Sequence, residues 1–575
     1  MNDRPSTSLL ADLAARFWRF QCHEFPTMAI GAGEPVPDAV LFREAPQDHA
    51  RRYAAAGEML AALDAIALDG LAGEDRATHQ LLRAELEDIR NFHDVSAHKR
   101  PPMLPRGPEQ AIANFANTAG ITNAASAALY NDRLATTPAF LRDLIANLQS
   151  GHDEGIRYPR IVLNGAVRNA RLAISGATED SPWYGPYKRS VADHDAISAQ
   201  AARARALIAD EVVPALQAYA DFLEKGLSDG ARDSIACIEA PQGREHYRLL
   251  LRQYTTADGT PEQIHELGLS EVARLGAEIE AVAADAGFPG DVAGYRTFLA
   301  TDPQFVAPSK EALREQVELL SKRIDKKVPV FFGRLPRVTY GFESIGEAAS
   351  AHMPSAYAQP SPADRTAPGI VWITGLPENC PSHRHVPLIL HEGWPGHLMH
   401  IALMHELESL PAFRRHGASL KFSACLEGWA LYCERLGVEM GLYETPHQHY
   451  GRLDMEMYRA LRLVVDTGIH WYGWDRERAV DYMAQHQAAP RKSIEAEVDR
   501  YIALPGQALA YQIGNLKFRE LRLRAEQRLG DGFDLRAFHD VLTATGPVTL
   551  AVLEDLVDHW LAQQVPAGAE TREFA

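Results

Sequence analysis

The sequence is poor in cysteine, in long apolar runs and in basic charge, and each shortage excludes a class of protein. Only five of its 575 residues are cysteines. They are few and widely spaced, so we expect no disulfide framework and favour a reducing, cytoplasmic location. No stretch reaches about 18 uninterrupted apolar residues, and the amino terminus lacks a basic start before an apolar run, so neither a transmembrane helix nor a signal peptide is expected. The net charge of −18 argues against nucleic-acid binding and against attachment to an anionic membrane.

Internal repeats and low-complexity segments are also absent, and most of the chain has a helical pattern. Apolar residues recur at helical spacing in three segments, 50–91, 109–149 and 193–225. The sequence TPEQ at 260–263 combines a capping threonine, a proline at the first helical position and a glutamine three residues after the cap. This combination predicts a helix that begins there and runs to about Ala286.

One segment of different composition interrupts the helices. Proline, glycine and β-branched residues become frequent in 328–385, and residues 369–374 have the composition of a strand. This strand is either an edge strand along which an extended substrate pairs, or an ordinary strand of a small sheet. We expect a mainly α fold with a helical lobe at 1–240 and a catalytic, metal-binding lobe at 241–575, unless the two form one continuous domain. The tail after Val565 is expected to fray.

The strongest chemical signal is the sequence HEGWPGH at 391–397. It resembles the H-E-x-x-H motif of zinc peptidases, in which two histidines hold the metal and the glutamate is the general base. Here six residues separate His391 from His397, which is about 600° of helical rotation, so a regular helix puts them on different faces. Pro395 and Gly396 predict one of two outcomes. Either they form a two-residue bulge that returns His397 to the side of His391, or the helix ends there and the histidines are unrelated.

A catalytic zinc site needs a third protein ligand, and Glu427 is the best candidate. It lies 30 residues after His397, within an apolar and aromatic stretch. A carboxylate is rarely buried in such surroundings without a partner, although most glutamates on helices are simply solvated. His391, His397 and Glu427 would then bind the metal with an exchangeable water, and Glu392 would take the proton of that water.

Other residues near these motifs are alternative ligands. Glu434 lies seven residues after Glu427, and we expect it to orient a ligand or to pair with Arg435 rather than to bind the metal. His400 follows His397 by three residues and is a weaker candidate. His383 and His385 are weaker still, because no base lies beside them.

Several motifs resemble, in order along the chain, the bacterial domain-of-unknown-function family 885. They are HEGWPGH, LEGWALYCE, VDTGIH and DRYIALPGQALAYQIG, together with YRLLLRQYTTADGTPEQIHELGLSEVARL at 247–275. The resemblance covers most of 240–560 and, more weakly, the N-terminal half. That family is similar to helical gluzincin peptidases, such as the angiotensin-converting-enzyme and Taq-carboxypeptidase groups. It implies a two-lobed helical gluzincin-like metallohydrolase with a small β-sheet beside the active-site channel. His391, His397 and Glu427 would be its ligands and Glu392 its base.

Peptide hydrolysis also needs a donor that stabilises negative charge on the carbonyl oxygen. The pair Arg500-Tyr501 resembles the converting-enzyme element that carries the oxyanion tyrosine, and Tyr511 is an equal rival. His470 is the best histidine donor, with Asp466 placed to orient it or a ligand. Arg500 is a candidate for binding a substrate carboxylate. Each also has a purely structural interpretation, as a core tyrosine, a helix end or a surface arginine.

The sequence therefore predicts a zinc-dependent hydrolase that cleaves short peptides by direct attack of a metal-activated water, in the manner of a carboxypeptidase or dipeptidase. Another divalent metal would suit the same ligands. The alternatives are a zinc hydrolase of a small-molecule amide or ester, and a metal-binding protein without catalysis. We expect a peptide or small amide as partner, and neither nucleic acid nor membrane. The oligomeric state stays open.

Overall fold

The fold is mainly helical, as the sequence predicts. Helices make up 72% of the structure, a computed structural model, and a three-stranded sheet accompanies them. Within the described residues, no helix is both long enough and apolar enough to cross a membrane. The tail after Val565, predicted to fray, lies outside the described residues. The structure describes residues 5–36, 39–105, 107–350, 353–362, 365–417, 421–487 and 489–564.

The α-helices follow one another along the chain, with short 3₁₀ and π segments between several of them. The first thirteen are α1 Ser6–Glu24, α2 Pro26–Gly31, α3 Pro46–Asp64, α4 Gly73–Asp94, α5 Pro108–Thr118, α6 Ala124–Leu134, α7 Thr137–Asp153, α8 Arg160–Ala173, α9 Gly185–Lys188, α10 His194–Leu207, α11 Val213–Asp221, α12 Gly243–Thr255 and α13 Pro261–Asp285. The others are α14 Val292–Thr301, α15 Lys310–Asp325, α16 Val328–Phe331, α17 Glu347–Ser350, α18 His385–Glu392, α19 His397–Glu406, α20 Ser423–Leu436, α21 Pro446–His470, α22 Arg476–His486, α23 Arg491–Ala503, α24 Ala510–Leu529, α25 Leu535–Thr543 and α26 Leu550–Gln564.

Helix α13 shows how local chemistry sets a boundary. The Thr260 hydroxyl accepts the amide N–H of Gln263 at 3.3 Å, and the Gln263 side chain accepts the amide N–H of Thr260 at 2.9 Å. Two amide donors that the helix leaves unused at its start are thus satisfied. The helix then runs to Asp285, which confirms the prediction made from TPEQ. The helical segment 50–91, by contrast, is divided between α3 and α4.

The sheet consists of β1 Tyr340–Ser344, β2 Ala356–Gln359 and β3 Gly369–Ile373, in the order β1-β3-β2. The predicted strand is confirmed as β3. It is the central strand, paired parallel with β1 and antiparallel with β2. Because both of its edges are occupied, the interpretation of this segment as a substrate-pairing edge strand is wrong. An ideal Cβ on Gly369 would lie 3.0 Å from the Leu398 side chain, so β3 packs directly against α19.

Two large hydrophobic cores hold the helices together, and each draws residues from both sides of residue 240. In the first, Phe17 belongs to the same cluster as Trp429. In the second, Leu216 belongs to the same cluster as Val464. These two cores do not separate the chain at residue 240, and the division into 1–240 and 241–575 stays a prediction. All five cysteines are free thiols and four of them are buried, so the expected absence of a disulfide framework is confirmed.

Candidate metal centre

The HEGWPGH motif spans the junction of two helices. Helix α18 ends at Glu392 and α19 begins at His397, with a turn at 393–396 between them. The prediction of a bulge inside one continuous helix is wrong, because Pro395 has no amide hydrogen with which to continue the helical pattern. The break nevertheless unites the histidines. The ring centroids of His391 and His397 are 4.7 Å apart, with the ring planes at 85°.

The break is tight, and two neighbouring residues hold it in place. An ideal Cβ on Gly396 would lie 2.0 Å from the carbonyl oxygen of His391 and 2.3 Å from that of Leu390. Only glycine, which has no Cβ, allows the chain to turn back so closely onto the end of α18. From the side of α20, the Trp429 indole N–H donates to the carbonyl oxygen of Pro395 at 2.9 Å.

Glu427 completes a cluster of three potential ligands. Its Oε2 lies 3.4 Å from Nε2 of His391 and 3.3 Å from Nε2 of His397. A tetrahedral zinc ion about 2.05 Å from each ligand atom requires those atoms to be about 3.3 Å apart. The residues therefore fit a divalent metal in both chemistry and spacing. Within the ranges that the structure describes, this is the one group of three or more His, Cys, Asp or Glu residues that could hold a metal ion. Its potential ligand atoms all lie within 4.8 Å of one another.

Glu427 reaches the histidines because α20 and α24 cross with their backbones in contact. An ideal Cβ on Gly428 would lie 2.5 Å from Cα of Gly514, and one on Gly514 would lie 1.9 Å from the carbonyl oxygen of Ala424. Two glycines at the crossing thus permit the close approach. The segment LEGW combines three local tasks: Glu427 faces the histidines, Gly428 meets α24, and Trp429 holds the break between α18 and α19.

Glu434 lies behind His391 rather than among the ligand atoms. Its Oε1 accepts a hydrogen bond from Nδ1 of His391 at 2.8 Å, which leaves the lone pair of Nε2 on the same ring available to an ion. The nearby guanidinium is that of Arg459, with Nη2 3.7 Å from Glu434 Oε1. Glu434 therefore contacts a candidate ligand, as one of the two expectations for it stated. The arginine beside it is Arg459 rather than Arg435, which was the other expectation.

Burial and charge set the protonation of the two carboxyl groups at the centre. Burial raises the pKa of Glu392 above its usual value, although His391 and His397 partly offset the rise. Burial also acts to raise the pKa of Glu427, but the adjacent histidines outweigh it and hold that pKa below its usual range. Glu427 is thus the ionised carboxylate suited to a ligand, and Glu392 the more basic one suited to accept a proton.

Of the two candidate tyrosines, the structure places Tyr511 nearer the centre. Tyr511 lies on α24 one turn before Gly514, it is half-buried, and the charge of Glu427, after burial itself, raises the pKa of its hydroxyl. Tyr501 is fully buried, and its hydroxyl accepts a hydrogen bond from Nε of Arg462 at 3.1 Å. The geometry therefore favours Tyr511 as a donor to a substrate oxygen.

The prediction that His470 donates to an oxyanion is wrong. Its Nδ1 accepts the amide N–H of Cys237 at 3.2 Å, and its Nε2 donates to the carbonyl oxygen of Tyr501 at 2.9 Å. Both ring nitrogens are occupied and the side chain is fully buried, so His470 joins backbone segments instead. Asp466 accepts hydrogen bonds from the Tyr247 hydroxyl at 2.7 Å and from the amide of Gly506 at 3.0 Å.

Arg500 is also engaged within the protein. Its Nη2 donates to Glu497 Oε2 at 2.9 Å, and its Nη1 donates to the Gln507 side chain at 2.6 Å. The Nε2–H of His385 donates to the carbonyl oxygen of Cys380 at 3.0 Å. His400 is buried beside the ring of Trp429, outside the three-residue cluster.

Sequence reasoning missed Arg459 and Arg462, two of the buried arginines of α21. They are three residues apart in an otherwise apolar segment, so they share one helix face. Charged residues at helical spacing among apolar ones were the available signal, because such residues need partners once they are buried.

The chain belongs to a bacterial family of unknown function, DUF885, whose sequence profile matches residues 26–557. The predicted family is thus confirmed. The fold is similar to that of a crystal structure described as a "putative lipoprotein" from Colwellia psychrerythraea, with a TM-score of 0.88, 27% identity, and 97% of this chain and 99% of that chain covered. It also resembles a "putative lipoprotein of unknown function" from Shewanella oneidensis, with a TM-score of 0.73, 18% identity, and 95% and 99% covered, a likeness of fold alone. No curated protein matches the chain.

Proposed function

We propose that this protein is a divalent-metal hydrolase, with zinc as the preferred ion, that cleaves the peptide bonds of short peptides. The observation that carries the proposal is the spacing of His391, His397 and Glu427. Oε2 of Glu427 lies 3.4 Å from Nε2 of His391 and 3.3 Å from Nε2 of His397, which is the separation that ligands of a tetrahedral ion require. The likeness to helical gluzincin peptidases, with two lobes around a channel, belongs to the same proposal.

When bound by these three residues, a divalent ion would supply Lewis acidity and would lower the pKa of a water molecule to about 7. The other steps use side chains of this chain. Glu392, at the end of α18, accepts the proton of the attacking water and returns it to the leaving amine. Tyr511 donates its hydroxyl hydrogen to the carbonyl oxygen as negative charge develops there. Glu434 holds the ring of His391 in the required orientation.

The substitution Glu392→Gln tests this proposal, because it removes the proton acceptor and leaves the three ligands in place. Zinc content should stay near one ion per chain while hydrolysis of a mixed peptide library, followed by mass spectrometry, disappears. Glu444→Gln is a matched control, since Glu444 is exposed in the connection between α20 and α21. Peptide cleavage at the wild-type rate by the Glu392→Gln protein would exclude the mechanism, and cleavage of small amides or esters alone would change the substrate class.

A further inference from the structure

Arg462 on α21 is a buried arginine with unused hydrogen-bonding capacity. Its side chain is 7% exposed, its Nε donates to the Tyr501 hydroxyl at 3.1 Å, and its Nη2 is 3.8 Å from Glu497 Oε2. Its Nη1 is buried and makes no hydrogen bond within the described part of the chain. An arginine without a full set of acceptors in a buried position is destabilising unless a further group supplies them.

The charges around Arg462 do not balance. Glu497 is its acidic neighbour, but the same Oε2 atom also accepts a hydrogen bond from Arg500 Nη2 at 2.9 Å. Two guanidinium groups thus share one carboxylate, and the three side chains together carry a net charge of +1. A partly buried excess charge of this kind is stabilised by a counter-charge, so the cluster is suited to receive one anion.

Two tyrosine rings flank the Arg462 guanidinium. The Arg462 guanidinium carbon lies 4.3 Å from the ring centroid of Tyr458 and 4.4 Å from that of Tyr511. Both of these tyrosines are half-buried, whereas Tyr501 is fully buried. The less buried side of the cluster therefore carries two tyrosines next to a guanidinium, and both groups contain hydrogen-bond donors.

Two independent contacts place this cluster next to the metal centre. Along α21, Arg459 precedes Arg462 by three residues, or about 4.5 Å of helix, and lies 3.7 Å from Glu434, the partner of His391. From the other side, Tyr511 packs on Arg462 and lies one turn before the crossing of α24 with α20, the helix that carries Glu427. An anion bound at Arg462 would thus lie close to a bond positioned at the centre.

We propose that Arg462, with the hydroxyl of Tyr458, binds a substrate carboxylate, so that the substrates are peptides cleaved near a free C-terminal carboxylate. The inference rests on the proposed function. Guanidinium groups bind carboxylates through two parallel hydrogen bonds, and Nη1 of Arg462 has its donors available for this. The role predicted for Arg500 thereby moves to Arg462, because Arg500 already pairs with Glu497 and Gln507.

The first test measures binding to the full-length, zinc-loaded protein by calorimetry. N-acetylglycine should bind about 10- to 100-fold more tightly than N-acetylglycinamide, because one charge-assisted pair contributes about 1.5–3 kcal/mol. Arg462→Lys should abolish most of this difference, and the exposed control Arg478→Gln should keep it. If Arg462→Lys does not fold, Tyr458→Phe should still weaken N-acetylglycine binding. An unchanged difference in the folded variants would overturn the proposal.

The second test compares hydrolysis of two peptides that differ only in a C-terminal carboxylate or amide. The free acid should be preferred in kcat/KM by about 10- to 100-fold, and Arg462→Lys should remove the preference by slowing the acid far more than the amide. Sodium chloride tests whether the site binds an inorganic anion instead. Strong inhibition of peptide hydrolysis by chloride, with no preference for the free acid, would overturn the substrate assignment. If the wild type cleaves no peptide, the proposed function fails, while Arg462-dependent binding of N-acetylglycine would still support the anion site.

Discussion

Gly396→Ala tests whether the break between α18 and α19 creates the metal centre. The added Cβ would lie 2.0 Å from the carbonyl oxygen of His391 and 2.3 Å from that of Leu390. Both distances are well below the 3.0 Å under which real Cβ contacts are essentially never found, by 1.0 and 0.7 Å. The opposing atoms belong to the backbone, so no side chain can move aside. The added Cβ overpacks the break, and the backbone there has to open by about 1 Å to accommodate it.

Such a movement acts directly on the ligand geometry. His397 follows Gly396, and metal–ligand distances tolerate deviations of only about 0.2 Å. We therefore expect zinc affinity to fall by at least about 100-fold, or about 2.7 kcal/mol. The free energy of unfolding of the metal-free protein should fall by about 1–3 kcal/mol, as is typical of overpacking.

The assay is competition for zinc with a chromophoric chelator, together with urea unfolding of the metal-free proteins. Gly276→Ala is the matched control, since Gly276 lies inside α13 with nothing within 4 Å of its ideal Cβ. That substitution should leave zinc affinity unchanged and raise the free energy of unfolding by about 0.5–1 kcal/mol. Zinc affinity within about threefold of wild type for Gly396→Ala would refute the reasoning.

Three further predictions concern the role of Glu434, stabilisation of the fold by zinc, and the dependence of stability on pH. Glu434→Gln should weaken zinc binding by about 10- to 100-fold while the fold is kept, measured by the same competition; an unchanged affinity would remove its orienting role. Zinc at about 1,000 times its dissociation constant should stabilise the wild type by about 4 kcal/mol and His397→Ala by far less, and equal stabilisation of both would place the ion elsewhere. Burial lowers the pKa of His383 to about 3, of His470 to about 4 and of His539 to about 3. Because the unfolded chain binds these protons below about pH 6.5 and the folded protein does not, the three histidines together should remove about 4 kcal/mol of stability between pH 6 and pH 5 in urea unfolding. A flat profile over that interval would contradict their burial as neutral rings.

The features that could be predicted from the sequence are those fixed by neighbours along the chain. The capping residues Thr260 and Gln263 define the start of α13 by themselves, and the composition of 369–373 is that of a strand. Whether that strand is central or at an edge depends on β1 and β2, which are distant in sequence, so the sequence left both interpretations open.

The candidate site shows the same limit. The residue types and spacing in the sequence indicate the three ligands, His391, His397 and Glu427. The form of the break between α18 and α19 depends instead on Trp429 and on the contact of Gly396 with the preceding helix end. The choice between tyrosines depended on which of two helices meets α20, and no local pattern reports that.

The same holds for the buried polar groups. His470 was the best histidine candidate for a donor, with Asp466 placed to orient it. Tertiary packing instead gives both of its nitrogens to the backbone of Cys237 and Tyr501. Arg462 was overlooked for the converse reason, since its unused Nη1 becomes visible only when its neighbours are in place.

The most direct test of the metal centre is an anomalous difference map recorded at the zinc absorption edge from crystals grown with zinc. We predict one strong peak about 2.0–2.2 Å from Nε2 of His391, Nε2 of His397 and a carboxylate oxygen of Glu427, with Glu434 retained on Nδ1 of His391. The absence of a peak among these three residues at saturating zinc, or a peak bound by other side chains, would contradict the account.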